Sequence, residues 1–366
     1  MRYLLLYVFM VVTSFKANSQ QKEPVRIGIA GLTHTHVHWL LGREERDDIE
    51  IVGISESNME LAKRYMDQYE MPLQLVYTSL DEMIEKSNPE AVLAFGSIYE
   101  HLEVVEKCAP KGIHVMVEKP LAISNDHARK MADLAKKHNI LLLTNYETTW
   151  YATTQYSLQK GTSGELGRLN RIVVNDGHQG PQEIGINQEF LDWLIDPEQN
   201  GAGALTDFGC YGANIITNMM GNEKPISVTA LVNTNKPNLY PKVDDDATIL
   251  LQYPTMTGVI QASWNWTYGR KDMEVYGTAG YLKTKDGVTL NVRTEEDEPE
   301  QTMDVKGYEG YPDDPFNYMA RAVRGDLPKQ WVQNDLNSLQ NNLIVVEILE
   351  AAMESARKGK TIIIKQ

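Results

Sequence analysis

The sequence predicts an α/β protein in two parts: a doubly wound parallel sheet, then an α/β domain with an open, largely antiparallel sheet. Three observations predict it. From Val25 onward, short β-branched runs alternate with amphipathic stretches, the rhythm of a parallel sheet covered on both faces. The first run ends at Gly31, on the strand-to-helix turn where bare backbone is needed for close approach to a ligand. After about Trp150 the strands lengthen and polar and apolar residues alternate along them, which marks a sheet with one solvated face.

In the first part, strands are predicted over 25–30, 49–55, 73–77, 91–95, 113–117 and 140–144, with helices over 59–70, 80–86 and 126–138. Thr78-Ser79-Leu80-Asp81 supplies a capping hydroxyl and an acid where a helix start needs them. In the second part, Gly164-Glu165-Leu166-Gly167 leads into a strand over 168–175. A helical region runs to about Met220, and strands follow over 226–233, 247–253, 257–266, 273–276 and 288–292. A helix over 337–357 closes the chain and is stopped by Gly359. The resulting divisions are 1–19, 24–148, 149–336 and 337–366.

The 366 residues are 42% hydrophobic and 23% charged, enough apolar material for two cores. A net charge of −15 excludes a nucleic-acid partner, since phosphate binding relies on Lys and Arg. The run Glu295-Glu296-Asp297-Glu298 reads as a solvated loop. Residues 1–19 have the layout of a secretory signal peptide: Arg2, an apolar run over 3–12, then Ala17-Asn18-Ser19 with cleavage after Ser19. The run is too short to span a bilayer, so the expectation is an exported protein, periplasmic or secreted, with no membrane attachment after cleavage. Cys108 and Cys210 fall in different domains and are expected as two separate buried thiols.

The first strand runs into Gly31-Leu32-Thr33-His34-Thr35-His36, where a dinucleotide site carries G-x-G-x-x-G and only the first glycine is kept. The second strand ends at Glu56, 25 residues on, near where an acid holds ribose hydroxyls. No arginine follows it, which favours NAD over NADP. His34, His36 and His38 form an H-x-H-x-H run. On a helix only His34 and His38 share a face, and no carboxylate or cysteine stands at ligand spacing beside them. The expectation is therefore histidines lining the pyrophosphate turn, with no metal.

The stretch Val117-Glu118-Lys119-Pro120-Leu121-Ala122 follows the fifth strand, and Gly201-Ala202-Gly203-Ala204-Leu205-Thr206-Asp207-Phe208-Gly209-Cys210-Tyr211 lies downstream. With Gly28 to Gly31, His101, Val243-Asp244-Asp245-Asp246-Ala247, Gly277-Thr278-Ala279-Gly280 and the closing Glu354 to Lys360, they make the chain resemble the Gfo/Idh/MocA oxidoreductases over essentially its whole length past residue 24. E-K-P and D-x-G-x-Y are the specific elements, and the tyrosine resembles the glucose–fructose oxidoreductase and dihydrodiol dehydrogenase branch rather than the inositol dehydrogenases. The resemblance implies an N-terminal Rossmann domain, a C-terminal α/β domain, and pairing of copies through the open sheet. It implies catalytic residues Lys119, Tyr211 and Asp207. Cofactor contacts are expected from Gly31, Thr33, His34, Glu56, Ser97, His101, Glu118 and Lys119.

Those residue types suit oxidation of a carbinol, in which hydride leaves carbon and a proton leaves oxygen. A phenol is a weak base near neutrality, and a nearby ammonium is expected to lower its pKa. Asp207 and Tyr211 are four apart and share a helix face. Pro120 keeps Lys119 extended at the strand's carboxyl end, where ligands of such sheets bind. His178 is a candidate substrate contact, and Trp193, Trp264 and Trp266 are aromatic candidates for stacking on a sugar ring, with core packing as the default. The leading reading is an NAD-dependent oxidoreductase acting at a ring hydroxyl of a sugar or glycoside, with the cofactor held tightly because an exported enzyme has no NAD pool. The alternatives are an NAD-dependent glycosidase working by transient ring oxidation and elimination, and a carbohydrate-binding protein without catalysis.

Overall fold

The computed structural model describes residues 23–44 and 47–365; the expected signal peptide over 1–19 lies outside them. Six strands form the first sheet: β1 (Val25–Ala30), β2 (Ile49–Ser55), β3 (Val76–Tyr77), β4 (Ala91–Ala94), β5 (His114–Glu118) and β6 (Leu142–Asn145). All pair in parallel, in the order β3-β2-β1-β4-β5-β6, as expected for a doubly wound sheet. The third strand is shorter than predicted. Leu73–Leu75 forms a 3-10 turn after Pro72, with the Leu75 N–H on the Pro72 carbonyl at 3.1 Å, so only two residues reach the ladder. The helix after the Gly31 turn spans only Val37–Leu41.

The second sheet has nine strands: β7 (Leu169–Gly177), β8 (Ser227–Asn233), β9 (Asp246–Gln252), β10 (Thr257–Ser263), β11 (Arg270–Gly277), β12 (Tyr281–Thr284), β13 (Thr289–Arg293), β14 (Gln301–Asp304) and β15 (Ile362–Ile363). Its order is β14-β13-β12-β11-β7-β10-β9-β8-β15, antiparallel throughout except for the β7–β10 pair. One face carries the helices Gly209–Met219 and Leu339–Lys358; the other leaves Leu231, Leu250 and Ile363 exposed. β12, β14 and β15 have no counterpart in the sequence-based expectation, being only two to four residues long.

The chain then crosses back. The helix Pro315–Val323, inside the stretch assigned to the second domain from sequence, sets Phe316, Tyr318 and Met319 into the core of Ile27, Leu40 and Tyr65. Arg43 with Asp314 at 3.1 Å and Arg324 with Glu90 at 2.5 Å fasten it. Cys108 and Cys210 are free, buried thiols. Among the described residues no helix is long and apolar enough to cross a membrane.

The two domains meet where Lys119, just past the carboxyl end of β5, reaches Asp207 at the end of the helix Ala204–Asp207. A carboxylate sets the start of that helix: Asp244 accepts the N–H groups of Gly203 at 2.9 Å and Leu205 at 2.7 Å. A Cβ on Gly203 would run into the Asp244 carbonyl oxygen, which is backbone and has nowhere to move. Gly203→Ala is therefore expected to lower stability by about 1–3 kcal/mol, read by chemical denaturation. An unchanged unfolding midpoint contradicts this account of the junction.

Candidate active site

Lys119 leaves the end of β5 next to a cis Lys119–Pro120 peptide bond and reaches across to the second domain. Its Nζ pairs with Asp207 Oδ1 and also donates to the Asp207 carbonyl at 3.1 Å. The other carboxylate oxygen accepts Trp264 Nε1–H at 3.0 Å. Lys119 Nζ lies 5.4 Å from the centroid of the Tyr211 ring, so the three residues named from sequence do converge. All three are buried, with exposures of 5% for Lys119, 6% for Asp207 and 1% for Tyr211. Trp264 is wholly buried as the partner of Asp207 and offers no face to a sugar.

Burial opposes both charges of the pair, but each outweighs that penalty for the other. Lys119 is held above the ordinary amine range and Asp207 below the ordinary carboxyl range. The expected lowering of the Tyr211 pKa is not found. Burial drives it well above 10, and the carboxylates of Glu147 and Asp176 push the same way, while the Lys119 charge is already neutralised by Asp207. The phenol is therefore neutral.

Four residues at the site were not picked out from sequence. Lys271, on β11, lies 4.9 Å from the Tyr211 ring centroid and pairs with Glu147, which also accepts the Tyr151 hydroxyl. Asp176, near the end of β7, is fully buried with its pKa pushed well up by burial. Asp176 alone carried a sequence signal, standing two before His178; Glu147, Tyr151 and Lys271 carried none. His178 accepts the Gly180 N–H on Nδ1 at 2.9 Å and sets its ring edge-on to Phe208 at 4.9 Å. Burial lowers its pKa, so it stands neutral beside this cluster.

At the cofactor end, a cavity of about 470 Å³ opens at the carboxyl ends of β1, β2 and β4, lined by Gly31, Glu56, Asn58, Ser79, His101 and others. Glu56 accepts the N–H groups of Leu32 at 2.9 Å and Asn58 at 2.8 Å. Acceptor capacity of the carboxylate remains for a ribose hydroxyl, so the cavity fits the nucleoside half of a dinucleotide. The diphosphate stretch differs from a glycine loop. The His34 N–H is bound to the Phe95 carbonyl at 2.8 Å and the His36 N–H to His34 Nδ1 at 3.1 Å. The following helix has only five residues.

A segment of the second domain covers this turn. Trp193 Nε1–H donates to Thr33 Oγ1 at 3.0 Å, Phe190 and Trp193 pack on the His34 ring, and Ser97 Oγ donates to Gln199 at 2.8 Å. His101 Nδ1 is 3.1 Å from the Leu121 carbonyl, leaving Nε2 as a buried, unpartnered acceptor; burial takes its pKa down to about 4. The histidine run does not form one helix face. His38 turns away to the Tyr69 hydroxyl at 2.8 Å, whereas His34 and His36 are met by Glu118, whose Oε2 is 2.8 Å from His36 Nδ1. The carboxylate missing at short spacing is thus supplied from β5, 82 residues away.

Removing one partner of the Lys119–Asp207 pair strands a buried charge, at a cost of about 3–5 kcal/mol. Lys119→Met is expected to destabilise by that amount, and the double variant Lys119→Met/Asp207→Leu to recover much of it in a double-mutant cycle. The lysine contribution is lost only as pH rises through its raised pKa, the aspartate contribution only as pH falls through its lowered one. The penalty of Lys119→Met should therefore be flat between about pH 5 and 9. A penalty that varies steeply in that window contradicts the pairing.

Comparison with known proteins matches residues 25–146 to the oxidoreductase family's NAD-binding Rossmann fold and residues 159–283 to the GFO/IDH/MocA C-terminal domain. The trans-1,2-dihydrobenzene-1,2-diol dehydrogenase of Xenopus laevis is 24% identical over 315 residues, 84% of this chain and 90% of that one. The human enzyme of the same name is 25% identical over 269 residues, 73% of this chain and 72% of its own. Among solved structures, an inositol dehydrogenase homolog from Azotobacter vinelandii complexed with NAD+ superposes with a TM-score of 0.80 at 17% identity, covering 94% of this chain and 98% of that one. An aldose–aldose oxidoreductase from Caulobacter crescentus complexed with glycerol gives 0.75 at 19%, covering 93% and 100%. The two matched domains, in this order and on this fold, make the chain a member of the Gfo/Idh/MocA family of NAD-binding oxidoreductases.

Proposed function

We propose that the protein is an exported NAD-dependent oxidoreductase that moves a hydride at a ring hydroxyl of a sugar or glycoside, with Lys119, Tyr211 and Asp207 as its catalytic group. The observation that carries this reading is the convergence of the Lys119–Asp207 pair and the Tyr211 phenol, the first at the carboxyl edge of the first sheet and the second on the facing domain. The names of the similar proteins support the substrate class, since they act on diols, inositol or aldoses. NAD, when bound, supplies the hydride acceptor or donor.

Glu56 would hold the ribose, His101 would accept from the cofactor near β4, and Lys119 would orient the nicotinamide end. The Trp193–Thr33 and Ser97–Gln199 contacts close the crossing between the two ends, so the segment around them opens for the cofactor to enter and afterwards holds it. That is how a cofactor would be retained outside a cytoplasmic pool. His178, beside Asp207 and Phe208, would contact the sugar. Pairing of copies through the exposed face of the second sheet belongs to the same reading.

A neutral phenol donates a proton more readily than it accepts one. Tyr211 would deliver its proton to a carbonyl oxygen as hydride reaches the adjoining carbon. In the oxidative direction it must first lose that proton, against the push of burial, Glu147 and Asp176. A second reading, ring oxidation followed by elimination of the aglycone, is favoured by Asp176, a carboxyl near Lys271 whose pKa burial raises, which makes it the better placed of the site's acids to protonate a leaving group.

Three measurements test the proposal. Denaturing the purified protein should release NAD, and its absence overturns the redox reading. With glycosides as substrates, oxidation should rise with pH through the alkaline range, because a pKa well above 10 must be crossed to make the base, while carbonyl reduction should be flat there. Tyr211→Phe should lose about 10²–10⁴-fold in rate. Release of free sugar from aryl glycosides, rather than its oxidation alone, selects the second reading.

A further inference from the structure

We propose that His34, His36 and Glu118 form a binding site for one divalent transition-metal ion, beside the Lys119–Asp207 pair. One ring nitrogen from each histidine and one oxygen of the carboxylate all lie within 4.8 Å of one another; His34 and Glu118 are buried, and the His36 side chain is 12% exposed. Two elements distant in the chain supply them: the turn after β1 and the end of β5.

The support around the trio is that of a prepared site. Glu118 Oε1 accepts Asn145 Nδ2–H at 2.8 Å, and Asn145 Oδ1 in turn accepts Trp150 Nε1–H at 3.0 Å, so the carboxylate is fixed from behind. His36 stacks face to face on Trp39 at 3.7 Å, which fixes its ring. Outer partners that orient the ligands in this way are typical of metal centres. An independent observation points to an absent partner. His34 is only 2% exposed, and its Nε2 has no hydrogen-bond partner. Buried ring nitrogens are otherwise paired as a rule, and packing against Phe190 and Trp193 gives this one nothing to bond.

In the ion-free arrangement His34 Nδ1 accepts the His36 backbone N–H, which places the imidazole proton on Nε2. Loading an ion at Nε2 moves that proton to Nδ1 and frees the N–H. The turn gives up that hydrogen bond and the one between His36 Nδ1 and Glu118 Oε2; His34 loses no proton, and the proton shared by His36 and Glu118 moves to His36 Nε2 or leaves to solvent. Two nitrogens and one carboxylate oxygen suit zinc, iron(II) or manganese(II), whereas calcium and magnesium prefer oxygen alone. Three protein ligands leave positions open, as in catalytic centres. An ion there would polarise a substrate hydroxyl or carbonyl oxygen and lower the pKa of the hydroxyl, which the neutral Tyr211 phenol cannot do by itself. That chemical consequence rests on the proposed oxidoreductase function; the binding of the ion does not.

The test is titration of the full-length protein, stripped with a chelator, with Zn²⁺, Mn²⁺ and Mg²⁺ by calorimetry, with metal content measured by mass spectrometry. One ion per chain is expected, with Zn²⁺ or Mn²⁺ well ahead of Mg²⁺. His34→Ala and Glu118→Gln should each weaken it by more than the roughly 10–100-fold that losing an outer partner costs, while His138→Ala leaves it unchanged. Sub-stoichiometric binding, or affinity that survives His34→Ala, means adventitious binding only and overturns the proposal. If Glu118→Gln fails to fold, the visible bands of the Co²⁺-loaded wild type decide instead: bands absent, or identical in His34→Ala, also overturn it. Dinucleotide released from the same sample is assayed separately, so loss of the redox reading and loss of the ion site are told apart.

Discussion

The buried ion pair between Lys119 and Asp207 is the constraint on which the arrangement of the two domains depends. It joins the carboxyl edge of one sheet to a helix that belongs to the other. In bulk terms such a pair contributes little net stability, because taking two charges out of water costs about what their attraction returns. Its effect is positional. An unpaired charge at either end is costly, so the domains are held in the one relation that keeps both charges matched. Trp264 and Asp244 extend that logic outward, the first by bonding the remaining carboxylate oxygen of Asp207, the second by fixing the N–H groups where its helix begins.

Around this pair the charges are balanced almost one to one. Lys119 is matched by Asp207 and Lys271 by Glu147, which leaves Glu118 and Asp176 without a cation of their own. Burial raises the pKa of both, although the neighbouring histidines and lysines oppose it. The site thus holds matched ion pairs and protonatable acids side by side, and among the described residues neither lysine beside Tyr211 is left unpaired to draw its proton. Acid–base function here follows from which charges are already spoken for, rather than from which residues stand near the phenol.

Much of this was legible in the sequence. β1 and β2 fall where β-branched runs between turn residues place them, and Lys119, Asp207 and Tyr211 converge because E-K-P and D-x-G-x-Y sit at the ends of elements whose order the fold dictates. What was not legible depends on long-range packing. Pro315–Val323 looks locally like any amphipathic segment, and only the exposed flank of the first core tells it where to dock. Asp176, Glu147 and Lys271 carry no motif; they matter because β7, β11 and the end of β6 meet. The sign of the Tyr211 shift was misread for the same reason: spacing shows that an amine is near, but not that a carboxylate has claimed it.

The turn after β1 shows how such substitutions act together. In a glycine-rich turn the backbone N–H groups are free and do the binding, and the missing side chains make room. With Thr33 and His36 in those places, two of the N–H groups are turned inward, and the side chains carry the chemistry instead: Thr33 holds the second domain through Trp193, and His34 and His36 gather around Glu118. The turn has changed from a cradle made of backbone to a junction made of side chains. Anything bound beside it meets imidazole and carboxylate rather than bare backbone, with the Trp193 contact lying across the same turn. Recognition and the covering of the turn are thereby carried by one loop, which is a stronger constraint on the ligand than the sheet topology imposes by itself.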